Sequence, residues 1–148
     1  MMKIPANVLA DKGITYNQKF LYGELARVTK NKKWHYETLD GRQVPSVTTV
    51  LSATKDMTHL HAWRKRIGAE KAQQITTESA NIGTVMHRSL EKHVKGEDRT
   101  PGSNLIQQKA HGMANVIIEN GLNDVSEVWG SEVSLYYPEL YAGTTDVV

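Results

Sequence analysis

The stretch SEVSLYYPELYAGTTDVV, residues 131–148, decides the expected fold because it holds two β-type runs joined at Pro138-Glu139. In both runs aromatic or β-branched residues alternate with small or polar ones, the pattern of strands with two different faces. Each run carries one carboxylate near its outer end, Glu132 in the first and Asp146 in the second. The stretch therefore predicts a β-hairpin with two acids that could meet. Alternation divides the first run into two faces, Trp129, Val133, Leu135 and Tyr137 against Gly130, Glu132, Ser134 and Tyr136.

The length of the hairpin loop decides whether the two acids face each other. In an antiparallel hairpin the residue numbers of directly paired residues have a constant sum, so Glu132 pairs with Asp146 only if Tyr137 pairs with Tyr141. A three-residue loop produces that register. A two-residue loop instead pairs Glu132 with Thr145 and sends Asp146 to the other face. Two carboxylates directly opposite each other repel, a cost that is tolerated where a divalent cation lies between them. The other reading is that both are ordinary solvent-facing acids.

Upstream, residues 33–50, KWHYETLDGRQVPSVTTV, predict a second hairpin with a turn at Asp40-Gly41. A Ser or Thr cap for a helix follows it. Residues 1–32 are a possible arm, in which 16–30 forms either a short helix or an irregular segment.

Three helices are predicted between the hairpins, over about 58–76, about 79–95, and from a start at 101–103 to Gly121 at the C′ position. Together the elements predict one α+β domain with a restriction-endonuclease-like, α/β-type arrangement, whose central mixed sheet is only beginning at residue 148. The apolar positions that define the helices are Leu60, Trp63, Ile67 and Ile75; then Ile82, Val85, Met86, Leu90 and Val94; then Leu105, Ile106, Met113, Val116 and Ile117.

Composition limits the possible chemistry. The 148 residues include 18 Lys and Arg and 16 Asp and Glu, a net charge of +2, so attraction to a polyanion must come from local clusters of cations. The chain has no cysteine, which excludes disulfides and thiolate metal sites and leaves oxygen and imidazole as metal ligands. Because it has neither a signal-peptide pattern nor a run of about 20 apolar residues, we expect a soluble protein of the cytoplasm.

His87 is the histidine placed best for chemistry, at the edge of the apolar face of the second predicted helix. A lone histidine at such a position has two readings. It is either a packed, hydrogen-bonded residue or a ligand for a metal.

The order of these residues and their neighbours resembles a known family. NIGTVMHRSLEKH, residues 81–93, resembles the helical Gly-Thr-x-x-His motif of RecB-type nucleases in the PD-(D/E)XK superfamily. The segment 131–148 resembles that family's acidic strand followed by a Gly-x-x-Asp strand. VPSVTTVLS at 44–52 and HAWRKRIGAEKAQQI at 61–75 are similar to the branch that contains phage exonucleases and the mitochondrial genome maintenance exonuclease. The resemblance runs from about residue 44 to residue 148.

The resemblance implies an exonuclease that hydrolyses phosphodiester bonds at DNA ends with Mg²⁺ or Mn²⁺. His87 is implied as the helix-borne metal ligand, Asp146 as the central metal-binding carboxylate and Glu132 as an accessory acid. Hard oxygen ligands with an imidazole suit these ions, which polarise a phosphate and lower the pKa of an attacking water.

The chain also departs from the family pattern, in which an acid-x-Lys strand follows the Gly-x-x-Asp strand. That strand would supply a second metal ligand and a cation, and the sequence ends before it. On the family reading, residues 1–148 are the N-terminal portion of a longer nuclease and are inactive alone, and their exposed last strand favours association by strand pairing. The competing reading is a non-catalytic DNA-binding or assembly module that retains the nuclease scaffold.

Two stretches combine cations with aromatic rings as proteins that bind single-stranded DNA do, KNKKWHY at 30–36 and HLHAWRKR at 59–66. For both stretches the other reading is a solvated basic segment, with Trp63 in the core. Ser46 and Thr48 would either offer hydroxyl and N–H groups to a phosphate at a helix start or only cap that helix. The partner expected is DNA, as a single strand or at an end. Its predicted contacts are Ser46, Thr48, Trp63, Arg64, Lys65, Arg66 and Arg88.

Overall fold

A computed structural model describes residues 14–148 and shows a mixed α+β fold, as the sequence predicts. The first 13 residues of the predicted arm lie outside the described part. The strands are β1 Thr15–Tyr16, β2 Ala26–Lys30, β3 Lys33–Glu37, β4 Gln43–Pro45, β5 Glu127–Val128, β6 Ser131–Tyr137 and β7 Tyr141–Val147. The helices are α1 Val47–Thr54, α2 Thr58–Ile67, α3 Ala69–Val94 and α4 Leu105–Gly121. Among the described residues, no helix is long and apolar enough to cross a membrane.

Strands β2, β3 and β4 form an antiparallel meander. The predicted turn at Asp40-Gly41 is confirmed, with Gly41 at φ 79° and its N–H bonded to the Thr38 carbonyl. Neither of the two structures considered for 16–30, a short helix or an irregular segment, describes its second half, because 26–30 form β2 and pair with β3. The cause is the Asn31-Lys32 turn, in which both residues have positive φ, as a two-residue hairpin loop requires.

A bridge between Ser46 and Ala142 connects this meander to the β6–β7 hairpin, in parallel orientation. Tyr36, Val44 and Ala142 are buried together at the junction. The bridge therefore places the end of β4 beside β7, so the meander and the β6–β7 hairpin lie side by side. The hairpin that carries Glu132 and Asp146 is thus fixed against the rest of the protein.

The boundary between the first two long helices differs from the prediction. The chain breaks at Gly68, which has φ 91° and ψ 148°, a conformation that glycine adopts without steric cost. As a result α2 ends at Ile67, and residues 69–94 form one continuous helix with no break at 77–78. Leu60 and Ile75, predicted to lie on a packed face, are exposed.

The apolar face predicted for α3 is confirmed at its ends, since Ile82 and Val94 are buried. The face predicted for α4 is wrong. Leu105, Met113 and Val116 are exposed, and the buried positions of this helix are Ala110, Ala114 and Ile118. These three positions recur every four residues, and the small alanines allow α4 to approach α3 closely.

The ends of α4 also differ from the prediction. Its N-cap is Asn104, whose side chain accepts from the N–H of Gln107 while the Gln107 side chain accepts from the N–H of Asn104. This capping box outweighs the turn signal at 101–103. Gly121 is the last helical residue, and Leu122 caps the helix.

Asp56 determines how α2 responds to acid. Its Oδ1 accepts from the Thr58 hydroxyl at 2.6 Å and the Thr58 N–H at 2.9 Å, and these bonds, the hydroxyl one first, lower the pKa of Asp56. A lowered pKa in the folded state means that this stabilisation is present above the ordinary Asp pKa and is lost as the pH falls through the folded value. We therefore expect Asp56→Ala to lower the melting temperature at pH 7 and to have little effect once the wild-type carboxyl is protonated. Asp56→Asn keeps an acceptor but cannot titrate, so it should retain stability and flatten the pH dependence; equal pH profiles for all three proteins would contradict this.

Candidate metal centre

The register of the β6–β7 hairpin places two carboxylates opposite each other. Tyr137 pairs with Tyr141, so the loop has three residues, and its middle residue, Glu139, has φ 69°. Of the two loop lengths open on sequence, this is the one that sets Glu132 directly across from Asp146. The two acids therefore share one face of the hairpin near its open end.

Glu132 itself has an unusual backbone. Its φ is 54° although the pairs on either side of it, Ser131 with Val147 and Val133 with Thr145, keep the antiparallel register. A residue with a Cβ pays about 1–2 kcal/mol in this left-handed region. Backbone strain of this kind clusters at functional sites.

His87 reaches the same place from the helix α3. Its Nδ1 lies 3.1 Å from Oδ1 of Asp146. Each of the three side chains, His87, Glu132 and Asp146, offers one ligand atom, and these atoms all lie within 4.8 Å of one another. All three side chains are exposed. Residues separated by 45 and 14 positions in the sequence thus converge at a point that a solute can reach.

The carboxylates of the cluster crowd negative charge together. Desolvation first, then the charges of Asp146 and Glu91, raise the pKa of the Glu132 carboxyl, while His87 and Lys95 act in the opposite direction. A divalent cation would relieve this repulsion because it offers each carboxylate an opposite charge.

Glu91 and Lys95 are neighbours of the cluster that the sequence reading did not select. They follow His87 at i+4 and i+8 on α3, so all three lie on one side of that helix. The Lys95 ammonium donates to the Glu91 carboxylate, and this hydrogen bond raises the pKa of Lys95. Helical spacing from His87 is the signal that could have found both residues.

The three side chains fit a divalent cation that prefers oxygen ligands. In octahedral Mg²⁺ coordination with bonds of about 2.1 Å, neighbouring ligand atoms are about 3.0 Å apart and opposite ones about 4.2 Å. The contact between His87 and Asp146 already has the neighbouring distance. The other separations are at most 4.8 Å, and rotation of the exposed side chains would bring these atoms to coordination distances. Three protein ligands would leave three positions open for water and a substrate oxygen.

Ser46 and Thr48, predicted DNA contacts, lie at the start of α1. Ser46 is buried and its hydroxyl caps the helix, accepting from the Thr49 N–H at 3.0 Å and bonding to the hydroxyls of Thr48 and Thr49. The capping reading therefore has direct support. A phosphate contact by the exposed Thr48 stays a prediction.

The other predicted contacts divide into two groups. Arg88 is exposed beside His87. The group of 63–66 lies at the end of α2, where Trp63 is half-buried and the three cations are exposed. Arg64 donates to Gln73 at 3.4 Å, and Gln73 is 14 residues before His87, or about 21 Å along α3. The fold does not bring this second group to the metal centre.

Comparisons with known proteins do not identify a family. The chain matches no protein-family model, and searches of curated proteins and of solved structures find no match.

Proposed function

We propose that this protein is a metal-dependent DNA exonuclease of the RecB type, in which His87, Glu132 and Asp146 hold Mg²⁺ or Mn²⁺. The observation that carries the proposal is the convergence of these three groups within 4.8 Å. They come from one helix and two strands, and their order along the chain is that of the family motifs. A surface acid cluster that arose by chance has no reason to include the histidine of a Gly-Thr-x-x-His helix.

Each side chain has a role that follows from its position. Asp146 is the central group of the three. It contacts His87 directly, and the register of the hairpin places it across from Glu132. When the proton is on Nε2, the neutral His87 ring turns the Nδ1 lone pair toward Asp146, so that both residues can bind one cation. Glu132 adds a second negative charge to the face. A bound divalent cation would polarise the scissile phosphate and lower the pKa of a water that attacks it.

The surroundings of the cluster suit an extended polyanion. Arg88 follows His87 in sequence and is exposed, so it can contact a phosphate next to the one being cleaved. The cluster is itself exposed, as hydrolysis at the end of a long polymer requires. We place the activity in the cytoplasm of a bacterium or of a phage-infected cell.

End-labelled DNA tests the proposal. The assay uses the full-length protein. We expect progressive shortening of DNA from an end with Mg²⁺ or Mn²⁺ and none with EDTA. Asp146→Ala and His87→Ala should each reduce the rate at least about a hundredfold, since loss of even an outer partner of a metal ligand costs 10–100-fold.

The matched control is Asp124→Ala, which removes one exposed carboxylate from a loop outside the cluster. It should cleave as the wild type does. DNA cleavage that is indifferent to Asp146→Ala and His87→Ala would contradict the proposal. DNA binding without any cleavage would instead favour the non-catalytic module.

A further inference from the structure

Trp34 is an exposed aromatic ring held in position by a cation. It lies on β3 with 47% of its surface exposed. The guanidinium of Arg27, from the neighbouring strand β2, lies 4.1 Å from its ring centroid. The cation occupies one region of the ring and restricts its orientation, while almost half of the side chain stays open to solvent. An open, oriented ring of this kind is suited to stacking against a flat partner.

The side chain of Trp34 is not required for the hydrogen bonding of the fold. The Trp34 carbonyl, not its indole, accepts from the Ser46 N–H at 3.0 Å and from the Thr49 hydroxyl at 2.9 Å. These bonds tie β3 to the start of α1 and would survive a change of side chain. The exposure of a large indole at this position is therefore not explained by the packing of the fold.

The ring lies on the same face of the sheet as the candidate metal centre. Trp34 is opposite Ser46, and Ser46 is bridged to Ala142, so their side chains share a face. Two residues further along β7 on that face is Thr144, whose hydroxyl is 3.2 Å from the Tyr36 hydroxyl, and two further is Asp146. Tyr36 and Ala142, which lie between them, are buried, so the exposed parts of this face are Trp34 at one end and Thr144 with the carboxylates at the other.

The charge at the Trp34 end complements a phosphate chain. Residues 27–36 contain four Lys or Arg and no Asp or Glu. These cations are Arg27 at the ring and Lys30, Lys32 and Lys33 around the β2–β3 turn. Cations interleaved with an open aromatic ring are the recognition elements for single-stranded nucleic acid, because each unpaired base offers a π face.

The spacing matches a short run of nucleotides. Trp34 and Asp146 are separated by two strand-to-strand distances and four residues along β7, so their Cα atoms are about 16 Å apart. At about 3.4 Å per stacked nucleotide this distance corresponds to roughly five nucleotides. One strand can therefore engage the ring and the metal centre together.

We propose that Trp34, oriented by Arg27, is a base-stacking subsite for single-stranded DNA, and that the same strand continues along this face of the sheet to Thr144 and the metal centre. The direction of the strand rests on the proposed nuclease function, whereas the stacking subsite does not. A base paired in a duplex has both faces covered by its neighbours, so the subsite selects unpaired DNA.

Fluorescence anisotropy with labelled oligothymidylate in EDTA tests the subsite without any catalytic ion. The strand has about 12 nucleotides, more than the roughly five that span the distance from Trp34 to Asp146. We expect Trp34→Ala to weaken its binding about tenfold. Trp34→Phe keeps a ring and should lose much less. Arg27→Gln should weaken binding several-fold, and binding of a duplex of the same length should not depend on Trp34.

Tyr137→Ala is the matched control, because Tyr137 is 58% exposed, stacked on Tyr141, and lies at the loop end of the hairpin far from Asp146. It should bind single strands as the wild type does. The subsite is wrong if single strands do not bind, if Trp34→Ala binds normally, if Tyr137→Ala loses as much, or if duplex binding falls equally. Should Trp34→Ala fail to fold by circular dichroism, the comparison of Trp34→Phe and Arg27→Gln with wild type decides. Absence of DNA cleavage together with Trp34-dependent binding would remove the nuclease proposal and leave the subsite intact.

Discussion

Asp146→Ala is expected to weaken the binding of Mn²⁺ about a hundredfold. Asp146 is the group on which the other two candidate ligands converge, since it contacts His87 at 3.1 Å and lies across the hairpin from Glu132. Loss of an outer partner of a metal ligand typically costs 10–100-fold in affinity, so loss of the central ligand should reach the upper end of that range. Isothermal titration calorimetry at low ionic strength on the 148-residue chain measures the effect.

The comparison with other variants separates ligation from general charge. Asp146→Asn keeps the shape and removes the charge, and it should lose nearly as much affinity because Mg²⁺ and Mn²⁺ favour anionic oxygen. His87→Ala should lose less, since it removes a neutral ligand. Asp124→Ala changes the net charge equally but lies outside the cluster, so its affinity should remain that of the wild type. A comparable loss in Asp124→Ala would mean that Mn²⁺ is held only by diffuse negative charge.

The hairpin was predictable from sequence because its signals are local. Alternation in 131–148 predicted two strands, and the structure has them at 131–137 and 141–147. Alternation alone does not predict the register, because it does not specify whether the loop has two or three residues. In the structure the loop has three residues, with Glu139 at positive φ. The sequence does not indicate this conformation, because the position holds neither Gly nor Asn.

Periodicity alone does not predict the contact between His87 and Asp146. Helical spacing placed His87 at the edge of an apolar face, but 58 residues separate it from Asp146, and only the docking of α3 on the hairpin brings them together. The motif resemblance implies that His87 and Asp146 bind the same metal ion, and therefore that they lie close together. Arg27 was missed for a related reason, because its contact with Trp34 crosses between two strands and depends on the β2–β3 register.

The errors in the helices have a common physical origin. The positions of the large apolar residues predict the wrong packed face for α4, which packs through Ala110 and Ala114 and exposes Met113 and Val116. Close approach of two helices favours small side chains, which carry a weak hydrophobic signal. The sequence does not predict the break at Gly68, because an isolated glycine in a helical pattern is either tolerated within a helix or ends it.

Glu132→Gly is expected to be more stable than Glu132→Ala by about 1 kcal/mol, the reverse of the usual order in a strand. Both variants remove the carboxylate that faces Asp146, so both lose the same repulsion and differ only in the backbone. At φ 54° an alanine Cβ costs about 1–2 kcal/mol, whereas glycine reaches this region freely. Urea unfolding in EDTA at pH 7 measures the difference as a change in midpoint at constant slope.

Ser134 is the matched control, two residues further along the same strand and paired with Thr144 within the regular ladder. There Ser134→Gly should be less stable than Ser134→Ala by about 0.5–1 kcal/mol, because the strand gains nothing from glycine's freedom. If glycine is the less stable choice at both positions, Glu132 has an ordinary strand backbone in solution. If the order reverses only at 132, the backbone at this position has the positive φ in solution that the structure shows. Cation binding by the same two variants then tests the role of the carboxylate, since neither should retain the wild-type affinity for Mn²⁺.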